Sequence, residues 1–182
     1  MPPRLRLWIL ILAGIPLLSL AVAILVGSNL PAEHVATSRA RFPVGPDSLW
    51  AVITDFPRVP TWRPDVKRME RLPDQGGHPV WLEVGSTGSL PFEITEWDPP
   101  RRITTRIADP NLPFGGTWTY GIEADSQGSV LTIVERGKIR NPVFRCLARF
   151  LFGYSSTMDG YLGSLGGRFS REVSPEHVTP PP

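Results

Sequence analysis

The chain has 182 residues, with 19 Lys plus Arg against 17 Asp plus Glu, 41% hydrophobic and 20% charged residues. That size points to one domain, the charged fraction is that of a globular rather than a disordered chain, and a lone cysteine, Cys146, excludes an internal disulfide. The three histidines fall in a linker-like stretch (His34), a Gly/Pro-rich loop (His78) and the terminal tail (His177), a placement that excludes a His/Cys zinc site or a Ser–His–Asp triad.

In chain order, residues 1–30 read as a membrane anchor and joint. Leu7 to Val26 is a run of twenty residues without a charge, roughly 30 Å as a helix, the thickness of a bilayer's hydrocarbon core. Trp8 stands at an interfacial position, and Pro16 is compatible with a membrane helix. The competing reading is a cleaved leader, with Ala21-Val22-Ala23 as the cleavage site, but the apolar run continues beyond it through Ile24, Leu25 and Val26. Removing Arg4 and Arg6 leaves 17 basic and 17 acidic residues, so the remainder is formally neutral and offers no nucleic-acid footprint. The same two arginines favour a single pass with the N-terminus inside, and hence a domain outside the cytoplasm at a bacterial inner membrane. Arg39 and Arg41 oppose that orientation from the other side.

Residues 34–172 form one stretch of periodic segments with α+β character. His34–Phe42 alternates as a first strand, and Gly45-Pro46 opens a short helix with Leu49, Val52, Ile53 and Phe56 on one face. Pro57, Pro60 and Pro64 allow a helical turn but no long helix. Strands are then expected at 66–72, 80–86, 90–97, 102–108, 117–123 and 130–139, separated by turn-forming clusters such as Asp74-Gln75-Gly76-Gly77 and Asp125-Ser126-Gln127-Gly128. Asn141-Pro142 caps a long helix whose stripe runs Phe144, Leu147, Leu151, Tyr154, Met158, Tyr161, Leu165 and Phe169 at spacings of three and four. Five glycines from Gly153 to Gly167 permit a bend in it. The tail, 173–182, carries four prolines and is expected to be disordered.

This order resembles the helix-grip fold of the START and birch-pollen-allergen superfamily (SRPBCC), and in particular its polyketide cyclase/dehydrase-like branch. The resemblance is carried by Leu49-Trp50-Ala51-Val52-Ile53-Thr54-Asp55-Phe56, Pro60-Thr61-Trp62-Arg63-Pro64-Asp65-Val66, Gly116-Thr117-Trp118-Thr119-Tyr120, Thr132-Ile133-Val134-Glu135-Arg136-Gly137 and Asn141-Pro142-Val143-Phe144-Arg145. It implies a curved antiparallel sheet wrapped around the C-terminal helix, enclosing a cavity for a lipid or other hydrophobic small molecule. It implies no cofactor. A minority of the superfamily catalyses cyclisation or dehydration.

Candidate cavity residues are Trp62, Phe92, Ile94, Trp118, Tyr120, Ile133, Glu135, Tyr154, Met158 and Leu162. Ordinary core is the alternative for the apolar ones. Glu135 shares its strand parity with Leu131 and Ile133, which places a carboxylate on the inner face. It reads either as a polar anchor or general acid/base, or as a strand-end partner of Arg106 or Arg136. Glu96 repeats this logic at a strand end. Trp62 plugs the core edge or gates a mouth, with Asp65 meeting a turn amide or Arg63. Cys146 reads as a small apolar residue. Arg140, Arg145 and Arg149 form a solvated polar face or a contact with anionic headgroups. Three functional classes follow: a tethered carrier of a hydrophobic molecule, a cyclase- or dehydratase-type enzyme using Glu135, and a filled, non-catalytic interaction module.

Overall fold

The computed structural model describes residues 3–179, with side chains from Gly14 onward. Helix α1 (Pro3–Asn29) continues through Pro16. Of the apolar run expected to anchor the chain, residues 7–13 lie outside the described side chains. Among the described residues, no helix is long and apolar enough to cross a membrane. The described part of α1 nevertheless exposes Ile15, Leu17, Leu18, Leu20, Val22, Ile24 and Leu25.

Seven strands follow the expected alternation: β1 (Glu33–Phe42), β2 (Val66–Gln75), β3 (His78–Gly85), β4 (Ser89–Asp98), β5 (Arg102–Ile107), β6 (Phe114–Asp125) and β7 (Gly128–Ile139). All pair antiparallel, and with the short β8 (Glu176–His177) they form one sheet in the order β2-β3-β4-β5-β6-β7-β1-β8. Because β1 pairs with β7 rather than with β2, the chain must cross to the far edge after β1. Helix α2 (Pro46–Thr54) and a 3-10 turn (Phe56–Thr61) make that crossing. The register sets Trp118 opposite Glu135, Tyr120 opposite Ile133 and Ile122 opposite Leu131. Successive side chains on a strand alternate between faces, so these six share the inner one.

The C-terminal rod differs from the single continuous helix expected. It is divided into α3 (Pro142–Leu147), a π-helical turn (Ala148–Phe152) and α4 (Ser156–Arg168). Asn141 caps α3, its Oδ1 accepting from the Val143 and Phe144 amides at 2.8 and 3.2 Å. Gly153 ends the first half with φ 76°, ψ 154°, a conformation open essentially to glycine alone. Side-chain spacing survives the break, but direction does not. Met158, Tyr161, Leu162 and Leu165 of α4 are buried against the sheet, whereas Phe144, Phe150, Leu151 and Phe152 are exposed. The first half lies instead beside α1: a Cβ on Gly27 would fall 1.8 Å from the Pro142 carbonyl oxygen, and Arg145 Nη1 donates to the Leu30 carbonyl at 2.8 Å.

The tail is likewise not free throughout. Glu176–His177 pairs with Ser38 and Arg39, and His177 Nε2 meets Asp159 Oδ2 at 2.9 Å while Ser38 Oγ donates to Oδ1 at 2.8 Å.

The break should be measurable. Gly153→Ala is expected to lower unfolding free energy in urea by about 1–3 kcal/mol through backbone strain, and Leu162→Ala by about 2–5 kcal/mol by opening a cavity under α4.

Candidate functional site

Two hollows lie between the inner face of the sheet and the helical layer. The first, about 140 Å³, is bounded by Ile53, Phe56 and Val59 below, by Met69, Leu90, Phe92, Ile103 and Thr105 on the sheet, and by Trp118, Tyr120, Thr157 and Tyr161. Its remaining wall is charged. Arg63 directs Nη1 to Glu83 Oε2 at 2.7 Å and Nη2 to Oε1 at 3.1 Å, and it also meets Asp65 at 2.5 Å. This two-pronged geometry holds the guanidinium plane fixed, 5.5 Å from the centre of the Tyr161 ring.

Burial opposes the charge on Arg63, but Asp65 and Glu83 together outweigh it and raise its pKa above the ordinary arginine value. Burial likewise drives both tyrosine hydroxyls well above the usual phenol range. For Tyr120 the neighbouring Tyr161 adds to the effect, and for both rings Arg63 partly counteracts it. The site therefore presents protonated hydroxyls and a neutralised charge pair to a mostly apolar space. The aromatic rings brace one another, with Tyr161 5.3 Å from Trp62, 6.1 Å from Trp118 and 5.5 Å from Tyr120.

The second hollow, about 300 Å³, lies between His34, Ile107, Phe114, Glu135, Ile139, Phe144, Leu147, Phe152 and Tyr154. Thr157 borders both spaces. Trp118 borders the first while donating its indole N–H to Glu135 Oε2, on the second, at 2.9 Å.

Of the residues expected to line a cavity, Phe92, Trp118 and Tyr120 border the first hollow, and Glu135 and Tyr154 the second. Trp62, Ile94, Ile133, Met158 and Leu162 are buried in the core. Glu135 meets neither Arg106 nor Arg136. Its Oε1 lies 3.1 Å from His34 Nε2, while Arg106 Nε donates to Glu93 at 2.7 Å. His34 is thus no linker residue. It sits on β1 with its ring stacked 4.1 Å from that of Tyr154. Glu96 is a strand-end partner of Thr104 and Arg102, exposed to solvent. Asp65 does meet Arg63. Arg140 and Arg145 each donate Nη1 to a backbone carbonyl, of Leu112 and Leu30 respectively, and Arg149 is exposed. Cys146 is half-buried.

Arg63, Glu83, Tyr161 and Thr157 were not among the expected lining residues. The available signal was Glu83, whose parity with Trp81 on β3 sets a carboxylate on the inner face, exactly two residues from an aromatic that touches Phe56. Its partner Arg63 lies on a loop, where strand parity has no force. Among the described residues, no three His, Cys, Asp or Glu side chains converge as a metal site.

A curved antiparallel sheet closed by a buried helix defines a helix-grip domain, and similarity to known proteins agrees. Residues 33–154 match the family described as polyketide cyclase / dehydrase and lipid transport, and the chain belongs to that family. No curated protein matches it significantly. Among solved structures it is similar to a START superfamily protein from Mycobacterium smegmatis, at 17% identity and TM-score 0.56, covering 76% of this chain and 97% of that one. Protein MLL2253 from Mesorhizobium loti matches at 12% identity and TM-score 0.58, covering 75% and 97%. Norcoclaurine synthase from Thalictrum flavum matches at 9% and TM-score 0.59, covering 75% and 86%. At these identities the likeness is one of fold.

The buried phenols set an alkaline limit on stability. Both tyrosines titrate higher in the folded chain than in the unfolded one, so their contribution is complete below about pH 10 and is lost as pH rises further, at about 1.4 kcal/mol per pH unit for each. Tyr161→Phe is expected to flatten that decline relative to the parent chain, as read by urea unfolding between neutral and alkaline pH.

Proposed function

We propose that this chain binds a hydrophobic small molecule or lipid between sheet and α4, and that α1 tethers the domain to a membrane. The supporting observation is the first hollow, whose mostly apolar walls carry one fixed charge pair, two protonated phenols and the hydroxyls of Thr105 and Thr157. Its volume of about 140 Å³ matches one benzene-sized ring and falls short of a typical ligand pocket. A larger molecule therefore needs the second hollow as well, past Trp118 and Thr157. An apolar body with one or two hydrogen-bond acceptors directed at Tyr120 and Tyr161 fits these walls.

The chemistry favours binding over a cyclase- or dehydratase-type reaction in this hollow. Proton transfer needs a group whose protonation can change near the working pH. Here the phenols hold their protons and Glu83 is occupied by Arg63, so the walls offer donors and no free base.

Tethering is supported by the uncharged run Leu7–Val26 and by the exposed apolar side chains of α1. A domain held at a bilayer stays beside the phase into which an apolar ligand partitions. Arg4 and Arg6 favour the single pass with the domain outside the cytoplasm at a bacterial inner membrane.

Native mass spectrometry of the full chain, extracted with its lipids, tests the binding reading. A retained hydrophobic mass is expected, together with its loss in Leu90→Trp, which fills the first hollow. A clean apo spectrum that also shows no uptake of added 1-anilinonaphthalene-8-sulfonate would refute binding.

A further inference from the structure

A second polar centre is built into the larger hollow. His34 on β1 lies directly opposite Gly137 on β7. A Cβ at residue 137 would fall 2.3 Å from His34 Cε1 and 2.5 Å from Nε2. Gly137 is absent from the positive-φ glycines, so what glycine provides there is room for the imidazole rather than backbone freedom. Tyr154 covers the ring face at 4.1 Å with the planes 14° apart. Gly137 and Tyr154 therefore fix the ring from two sides.

Its hydrogen-bonding state follows from its partner. A carboxylate only accepts, and Glu135 already uses Oε2 for the Trp118 indole at 2.9 Å. Oε1, 3.1 Å from His34 Nε2, therefore takes its hydrogen from Nε2, and in the singly protonated ring that leaves Nδ1 as the acceptor. Nδ1 bonds to nothing among the described residues. It is not sealed away either, since the buried atoms without partners there are Thr37 Oγ1 and Arg145 Nε. The His34 residue borders an open space of about 300 Å³ walled chiefly by Phe114, Phe144, Leu147 and Phe152. An acceptor without a protein partner at such a wall is available to a ligand's hydroxyl in place of water.

We propose that the second hollow takes the hydroxyl- or enol-bearing end of an apolar molecule, which donates to His34 Nδ1, and that Glu135 is a positioning residue holding the imidazole in the Nε2–H tautomer. This rests on the binding reading above and adds where the polar end of the ligand goes. The aliphatic or aromatic remainder lies against Phe144, Leu147 and Phe152. Phe144 and Phe152 are themselves exposed, so apolar surface continues from the hollow to the solvent side.

The test compares 2-naphthol with 2-methoxynaphthalene, which have similar shapes but differ in whether they can donate. Titrated into the full chain in detergent, 2-naphthol is expected to bind roughly five- to tenfold more tightly, the effect of one neutral hydrogen bond. It alone should shift the ¹⁵N signal of His34 Nδ1. His34→Phe, which keeps the stack on Tyr154, should abolish the preference, as should Gly137→Ala, which displaces the imidazole while retaining it. Glu135→Gln should turn the single Nε2–H tautomer into a mixture, a change that loss of packing alone does not produce. Equal affinities in the parent chain, a preference that survives both His34→Phe and Gly137→Ala, or an unchanged tautomer in Glu135→Gln would overturn the proposal. Failure of both naphthalenes to bind would overturn the binding reading with it.

Discussion

The contact between the inner face of the sheet and α4 organises everything else. Met158, Leu162 and Leu165 are fully buried there, in one apolar cluster with Leu131 and Ile133, and Tyr161 reaches the rings of Trp62, Trp118 and Tyr120. A helix of 13 residues cannot cover an eight-stranded sheet. What α4 leaves uncovered becomes hollow, and α2, the 3-10 turn and α3 close the hollow from the sides. Gly153 decides how the space is divided, because it turns the chain away from the sheet and lets α3 lie against α1 instead.

Polar groups on the inner face obey a second constraint. Each carboxylate there has a named partner: Glu83 has Arg63, and Glu135 has both His34 and Trp118. Burying a charge without a partner costs more than folding can supply, so these pairs are conditions for having carboxylates inside at all. Their effect on function is to convert charge into fixed hydrogen-bonding direction. The first hollow presents donors, from Tyr120 and Tyr161, while the second presents the oriented His34 ring, whose Nδ1 is the acceptor we propose.

Much of this was legible beforehand. Period-two alternation located seven strands, the prolines limited the segment after α2 to a short turn, and parity alone set Glu135 inside. Sequence spacing failed where one residue changed the direction of the chain. The stripe from Phe144 to Phe169 has helical spacing throughout, yet a periodicity records only the interval between apolar residues and not the axis they follow. His34 shows a related limit: alternation places it at the start of a strand, but what makes it a packed residue is the absence of a Cβ on Gly137, a hundred residues away.

Local pattern, then, determined the elements, their order and the face each side chain takes, because steric preference and the hydrophobic effect act over a few residues. Tertiary structure alone decided which polar groups meet, Arg63 with Glu83 and His34 with Glu135. Those distances depend on strand register and on the path of the loop carrying Arg63, and neither is encoded in the spacing of residues along the chain. It also decided that the space beneath the helices is two hollows rather than one filled core, since volume is set by how surfaces fit and not by which residues compose them.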